Sequence, residues 1–310
     1  MLTASVKNTL DEYFRIRDYK ETVWSAIAKG LNHEFPAFTY EGFKENGTGL
    51  FIKAKEDING VFVAAFLSEF VAEEAIKAAN GPSLLICKHP MEWEEFDTGF
   101  IPLRQETYQR FLDAGMSVYI PHMALDNHPA HSPSMHFCAQ IGATDLEGVS
   151  YTVGNAVHQF GYIANAPVGL NSYESFVKHV ARSMGLDDVQ RIKSHDNVGK
   201  LVVVTGGGDN LNWALSAIEK IGGGDVTYVT GIAYFRGTPY SAVHNLEFVE
   251  YCKERGINLI GAGHYPTEIA GVRSFNDELD AMLGLPVKLI EEKQKMQLLQ
   301  NKWGGNFYDR

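Results

Sequence analysis

The sequence predicts an α/β protein of two lobes, with mostly parallel sheets flanked by helices. Short apolar runs rich in β-branched residues alternate with longer helical stretches along the 310 residues. Such repeated alternation is typical of parallel sheets that are covered by helices. Apolar residues make up 45% of the chain, which is enough for the core of one large or two medium domains.

The predicted elements follow one another in a regular order. The first half has strands at 61–66, 84–87 and 116–120, with helices at 69–79 and 105–114. The second half has strands at 201–204, 226–229 and 257–260, with helices at about 210–221, 238–254 and 267–283. A loop is predicted at residues 126–134. The pattern at residues 150–167 is compatible with antiparallel strands. We expect one lobe to comprise 1–129 and 256–310, and the other to comprise 130–255.

The net charge of the chain argues against some classes of binding partner. There are 27 Lys and Arg residues against 38 Asp and Glu residues, a net charge of −11. The basic footprint of a nucleic-acid or membrane-surface protein is therefore missing. Three cysteines do not make a disulfide framework, and the first residues lack an apolar signal core. We expect a soluble cytoplasmic protein that does not associate with membranes.

Three turns that follow predicted strands carry possible metal ligands. They span residues 84–90, 118–126 and 259–268, and they contain His89, Asp126, His264 and Glu268. Ligands of open α/β sheets bind beyond the carboxyl ends of the strands. Divalent metals prefer His nitrogens and carboxylate oxygens from several chain segments. The pattern thus favours a metal site in the cleft between the lobes.

The third turn is the most specific of the three. Gly261 and Gly263 allow a tight exit from the strand, and Pro266 suits the first helical position. His264 and Glu268 would then face one ion from a helix start. The alternative is a helix-capping Glu268 beside a packed His264. There are also structural alternatives for the other two residues. His89 could be a hydrogen-bonded residue at a strand end, and Asp126 could be a loop or cap residue.

In six segments, taken in order, the chain resembles the NIF-three-like family (Ngg-one-interacting factor three), also called GTP cyclohydrolase I type 2 homologues. The segments are listed by residue as 45–50, 89–90, 122–126, 202–208, 226–231 and 263–268. The resemblance covers most of the chain. It implies a two-lobed fold, a metal centre that binds a divalent ion (Zn, Fe or Mn, one or two per chain) and a ring-like homohexamer.

The resemblance also implies roles for individual residues. His89 matches the second of two paired family histidines, and Asp126, His264 and Glu268 match the other metal ligands. Glu268 and His122, which lies in the Asp turn, become the candidate catalytic residues. The first of the paired histidines is replaced by Lys88 in this chain.

Lys88 raises a physical problem for a metal site. An ammonium about 4 Å from a divalent ion, at an effective dielectric of roughly 20, is repelled by about 8 kcal/mol. Lys88 could turn away from the site, could bind metal as a neutral amine, or could replace a metal and neutralise Asp126 or Glu268. His128, the histidine nearest to Asp126 in the loop, is the candidate for a substitute ligand, with a polar loop residue as the alternative.

The glycine-rich turn at 205–210 is a further candidate feature. Its backbone N–H groups could hold an anion, but a Walker lysine is missing and Asp209 would repel a phosphate. The alternative is a simple turn with Asp209 as a helix N-cap.

Two functions fit these features. The first is a metal-dependent hydrolase acting on a small molecule, which the resemblance suggests is a nucleotide or a related phosphate-bearing compound. The second is a non-catalytic metal-binding scaffold or regulatory protein that kept the assembly and has a degenerate metal site.

Overall fold

The computed structural model describes residues 3–153, 156–234, 239–303 and 305–306. The chain divides into two compact units. The first unit contains Met1–Glu94, Phe100–His131 and Val272–Glu292, and the second contains Glu95–Gly99, Ser132–Gly271 and Lys293–Arg310. The predicted α/β class is confirmed, with a mixed sheet in each unit. The division differs from the predicted lobes, because residues 256–271 and 293–310 group with the second unit.

The first unit contains helices and strands in the following order: α1 Thr3–Tyr13, α2 Val23–Gly30, α3 Glu41–Asn46, β1 Gly49–Ile52, β2 Val61–Phe66, α4 Glu69–Ala78, β3 Ser83–His89, β4 Glu92–Glu94, β5 Gly99–Ile101, α5 Gln105–Asp113, β6 Met116–Ile120, α6 His122–Asp126, α12 Asn276–Leu283 and β13 Val287–Leu289. A short 3-10 helix spans Ile16–Asp18.

The sheet of the first unit has the strand order β1-β6-β3-β2-β13. The pairs β6–β3, β3–β2 and β2–β13 are parallel, and β1 runs antiparallel to β6. All residues of β2 and β3 are buried, as expected for parallel strands covered on both faces. Because β3 and β6 are parallel neighbours, the residues that follow them leave the sheet at the same edge.

The second unit contains the remaining elements: α7 Pro133–Gln140, β7 Thr144–Val153, β8 Ala156–Asn165, α8 Tyr173–Ser183, β9 Gln190–Ile192, β10 Lys200–Val204, α9 Leu211–Ile221, β11 Val226–Thr230, α10 Pro239–Glu254, β12 Asn258–Gly261, α11 His264–Ser274, α13 Lys293–Lys302 and β14 Gly305–Asn306. The last three residues of α11 are counted with the first unit, and Gly99 of β5 is counted with the second.

The sheet of the second unit has the order β14-β9-β12-β11-β10-β8-β7. Its centre, β10–β11–β12, is parallel, and its buried apolar runs made these strands recognisable in the sequence. The antiparallel arrangement left open for residues 150–167 is present: β7 and β8 form a long antiparallel pair, and β8 runs antiparallel to β10. The sheet is therefore mixed.

Two predicted segments differ from the structure. Asp126 is the last residue of α6 and not part of a loop, and α7 begins at Pro133. The helix predicted at 267–283 is two helices that are separated at Phe275. Pro266 is the third residue of α11 and not the first. Across the parts of the chain that the structure describes, no helix combines the length and apolar character needed to cross a membrane.

Candidate functional site

The end of β3 places two predicted site residues in a buried environment of the first unit. Lys88 and His89 are each 2% exposed. The Lys88 ammonium lies 3.1 Å from Asp126 Oδ1 and 3.2 Å from His89 Nε2. A buried charge is tolerated only when it is paired, and Asp126 supplies the opposite charge. Lys88 therefore does not turn away, although strand alternation predicts that adjacent residues point to opposite faces.

Aromatic rings surround the imidazole of His89. Phe66 stacks on it, with ring centroids 4.5 Å apart and an interplanar angle of 11°. Trp24 contacts it edge-on at 5.7 Å, and the His122 ring lies at 4.8 Å. These contacts fix the orientation of the His89 ring.

His122 forms a pair with a buried carboxylate that the sequence did not indicate. Its Nδ1 lies 2.5 Å from Glu21 Oε2, and the other oxygen of Glu21 accepts the backbone N–H of Met123 at 3.0 Å. Glu21 is 4% exposed. Gly47 supports this pair from the 45–50 segment: it has φ +70, and a Cβ there would lie 2.1 Å from the backbone oxygen of Glu21.

The start of α11 carries the second pair of predicted ligands, in the second unit. His264 Nε2 and Glu268 Oε1 are 3.2 Å apart, and both side chains are buried. The two residues are one helical turn apart, so they lie on the same face. Gly263 has φ +85 and lets the chain turn from β12 into the helix.

Glu95 caps this helix, although it lies far away in the sequence. Its carboxylate oxygens accept the backbone N–H groups of His264 at 2.9 Å and Tyr265 at 2.8 Å. These are two of the amides that a helix N-terminus leaves without helical partners. Burial raises the pKa of Glu95, and the charge of His264 and the two backbone hydrogen bonds act against this rise. The cap explains why α11 begins before Pro266.

The glycine-rich turn after β10 reaches the same pair. Gly206 has φ +63, and a Cβ on it would lie 2.2 Å from Glu268 Oε1 and 2.7 Å from His264 Nε2. The turn thus approaches the two donor atoms so closely that only a residue without a Cβ fits at Gly206. The predicted N-cap at Asp209 is wrong: Asn210 is the cap of α9 and accepts from the N–H groups of Asn212 and Trp213. Asp209 Oδ2 accepts from Asn245.

His128 lies in an aromatic cluster of the first unit. Its ring stacks on His131 at 4.7 Å and packs against Tyr13 at 4.7 Å. His131 is hydrogen-bonded to Ser274 at 2.7 Å and to Glu278 at 2.8 Å. Burial, and then the nearby His131, lower the pKa of His128 to about 4. Its use as a substitute metal ligand stays a prediction.

The structure thus brings Lys88, His89 and Asp126 together in the first unit, and His264 and Glu268 together in the second. Sequence reasoning missed three contributors, which are Glu21, Glu95 and Gly206. Of these, only Gly206 stood in a segment that the sequence had singled out. The contacts of Glu21 with His122 and of Glu95 with His264 span 101 and 169 residues, so no local pattern could indicate them.

Comparison with known proteins identifies relatives over most of the chain. A family model described as Duf34/NIF3 (NGG1p interacting factor 3) matches residues 24–295. A protein of Deinococcus radiodurans named "GTP cyclohydrolase 1 type 2 homolog" is 24% identical over 69% of this chain and 73% of its own length. A protein of Archaeoglobus fulgidus with the same name is 24% identical over 94% of this chain and 98% of its own.

Solved structures share the fold. Protein ybgI, described as of unknown function, has a TM-score of 0.64 at 17% identity and covers 94% of this chain and 98% of its own. The protein TTHA1606 of Thermus thermophilus has a TM-score of 0.60 at 21% identity with the same coverage. At such identities these similarities establish the fold alone.

Proposed function

The chain belongs to the Duf34/NIF3 family, and from that premise we propose that it binds a divalent metal ion and hydrolyses a small molecule with it. The observation that carries this proposal is the pair His264 Nε2 and Glu268 Oε1, 3.2 Å apart and buried, with Gly206 against both atoms. An imidazole nitrogen and a carboxylate oxygen on one helix face are donors that zinc, iron and manganese accept.

His89, a further predicted ligand, is not assigned to this ion, because its Nε2 lies 3.2 Å from the Lys88 ammonium within the first unit. Asp126, the fourth predicted ligand, fits less well because its Oδ1 is in contact with the Lys88 ammonium. Asp126 therefore enters the proposal as the partner of Lys88.

A divalent ion held by His264 and Glu268 would lower the pKa of a water molecule and polarise a carbonyl, imine or phosphoryl group. Within the first unit, His122 is suited to take and return a proton. Glu21 holds the His122 ring by its Nδ1, which leaves Nε2 for the exchange of a proton with substrate. Glu268, which is also a predicted catalytic residue, would act in catalysis as a ligand of the metal ion.

The names of the relatives support a proposal for the substrate class. Curated relatives are called GTP cyclohydrolase 1 type 2 homologues, so we propose a nucleotide or a related phosphate-bearing compound as substrate. The family resemblance further supports a homohexamer, which sedimentation velocity can test. The net charge of −11 opposes nucleic acid as the partner.

A non-catalytic metal-binding scaffold is the second candidate. The contact between Lys88 and Asp126 favours it, because it removes a carboxylate from the predicted ligand set. A scaffold would keep the ion and the assembly and would turn over no substrate.

A hydrolysis screen separates the two candidates. The metal-loaded protein is incubated with nucleotides and generic phosphoesters, beside Glu268→Gln and the exposed control Glu219→Gln. The hydrolase account predicts turnover that is lost in Glu268→Gln and kept in Glu219→Gln. Absence of turnover in a protein that retains its metal would favour the scaffold, and equal activity of all three proteins would contradict the assigned role of Glu268.

A further inference from the structure

We propose that the Lys88 ammonium is a built-in cation that takes the position of a metal ion at Asp126 and His89, so that this pair does not bind metal in this chain. The inference deepens the proposed function and rests on it only for the ion at His264 and Glu268. Its own evidence lies within the first unit.

The geometry of the three side chains supports this assignment. Lys88 Nζ lies 3.1 Å from Asp126 Oδ1 and 3.2 Å from His89 Nε2. A carboxylate oxygen and an imidazole nitrogen are the donors that a divalent ion would take from these two residues. Here both atoms lie within 3.2 Å of the Lys88 ammonium.

The fold makes this contact hard to avoid. Lys88 and His89 are the last two residues of β3, and Asp126 ends the short helix α6 that follows β6. Strands β3 and β6 are parallel neighbours, so both segments leave the sheet at the same edge. A lysine at the end of β3 therefore reaches the carboxylate delivered by the next strand.

Electrostatics then decides between the ammonium and a metal ion. Lys88 is 2% exposed, and its charge stays buried because Asp126 neutralises it. A divalent ion at the same donors would face a neighbouring positive charge with little solvent to screen it. Because the ammonium is covalently attached, it cannot be displaced by dilution or by a chelator.

Metal counting tests the inference. Each protein is purified without chelator, saturated with Zn²⁺, freed of excess ion by gel filtration and analysed for metal per chain. We expect about one ion in the wild type and in Asp126→Asn, and about two in Lys88→His, which supplies a neutral nitrogen in place of the cation. Lys88→His combined with Asp126→Asn should return to one. The matched control is Lys77→His, at an exposed lysine of α4, which should stay at one.

Each other outcome is decisive. Two ions in the wild type, loss of the ion in Asp126→Asn, or an unchanged count in Lys88→His would overturn the inference. If the wild type contains no ion and Lys88→His contains one, the proposed ion at His264 and Glu268 is wrong. The role of Lys88 is then still supported.

A second measurement covers the case in which Lys88→His does not fold. A double-mutant cycle of Lys88→Met and Asp126→Asn is measured by denaturant unfolding in the presence of chelator. A built-in cation predicts that Asp126→Asn is more destabilising in the wild type than in Lys88→Met. Additive effects of the two substitutions would overturn the inference.

Discussion

His264 Nε2 and Glu268 Oε1 lie 3.2 Å apart on the first turns of α11, and both side chains are buried. This relationship depends on two distant segments. Glu95 caps the helix that carries both residues, and Gly206, which has no Cβ, lets the turn after β10 approach their donor atoms closely.

Gly206→Ala should abolish metal binding at His264 and Glu268. The new Cβ would lie 2.2 Å from Glu268 Oε1, so the carboxylate must move. The positive φ of +63 adds about 1–2 kcal/mol of backbone strain in any case. Gly256→Ala is the matched control, because its φ is +64 and a Cβ there meets no atom within 4 Å. Isothermal titration with Zn²⁺ should show affinity lost only in Gly206→Ala; equal affinities in both variants would contradict the account.

Glu95→Ala should loosen the start of α11 and lower the free energy of unfolding. Two buried backbone N–H groups would lose their acceptor, at a cost of about 1–3 kcal/mol each. Denaturant unfolding of the metal-free protein measures this effect, with Glu219→Ala on the exposed side of α9 as control. If Glu95→Ala lowers the free energy of unfolding no more than Glu219→Ala does, Glu95 does not cap the helix.

Glu21→Gln should slow hydrolysis while the metal content stays the same. The amide can present an N–H to His122 Nδ1, which would shift the imidazole to the tautomer that cannot take a proton at Nε2. Loss of proton transfer of this kind reduces kcat by about 10²–10⁴-fold. The readout is kcat together with metal per chain, compared with Glu219→Gln. If Glu21→Gln instead loses its metal and recovers an unchanged kcat once metal is added back, Glu21 does not position His122 for proton transfer.

Stability should rise with pH between about 4 and 6.5 because of His128. Its pKa is about 4 in the folded protein and near 6.5 in the unfolded chain, so the unfolded chain binds the extra proton in this window. Its contribution is complete above pH 6.5 and is lost as the pH falls through the folded pKa. After allowance for the partial exposure of the ring, we expect a loss of about 1–2 kcal/mol between pH 7 and pH 4.

The role of His128 is tested by the slope of the free energy of unfolding against pH. The free energy of unfolding is measured at intervals of pH for the wild type, His128→Gln and the control His136→Gln. The slope should shrink in His128→Gln and persist in His136→Gln. A slope that is the same in all three proteins would show that His128 does not carry it.

The sequence predicted the parallel strands well, because β2, β3, β10 and β11 are buried on both faces and so appear as short apolar runs. It misplaced the start of α11, since the capping carboxylate of Glu95 lies 169 residues away. It also treated Asp126 as a loop residue, because α6 has only five residues and no N-cap side chain to mark its start.

The residue types of the candidate site were predictable, and so was one of its pairings. His264 and Glu268 have helical spacing, which correctly predicted that they meet. Lys88 was left with three arrangements, because strand alternation ceases to constrain a side chain at the end of a strand. Only the structure shows that Lys88 contacts Asp126, and that His122 is held by Glu21.

An ion at His264 and Glu268 can be observed directly in a crystal of the protein soaked with Zn²⁺, with data collected at the zinc absorption edge. We expect one anomalous peak at about 2.0–2.2 Å from both His264 Nε2 and Glu268 Oε1. Lys88 should remain in contact with Asp126 in the same crystal. A peak bound to Asp126 Oδ1, or no peak at His264 and Glu268, would contradict the account.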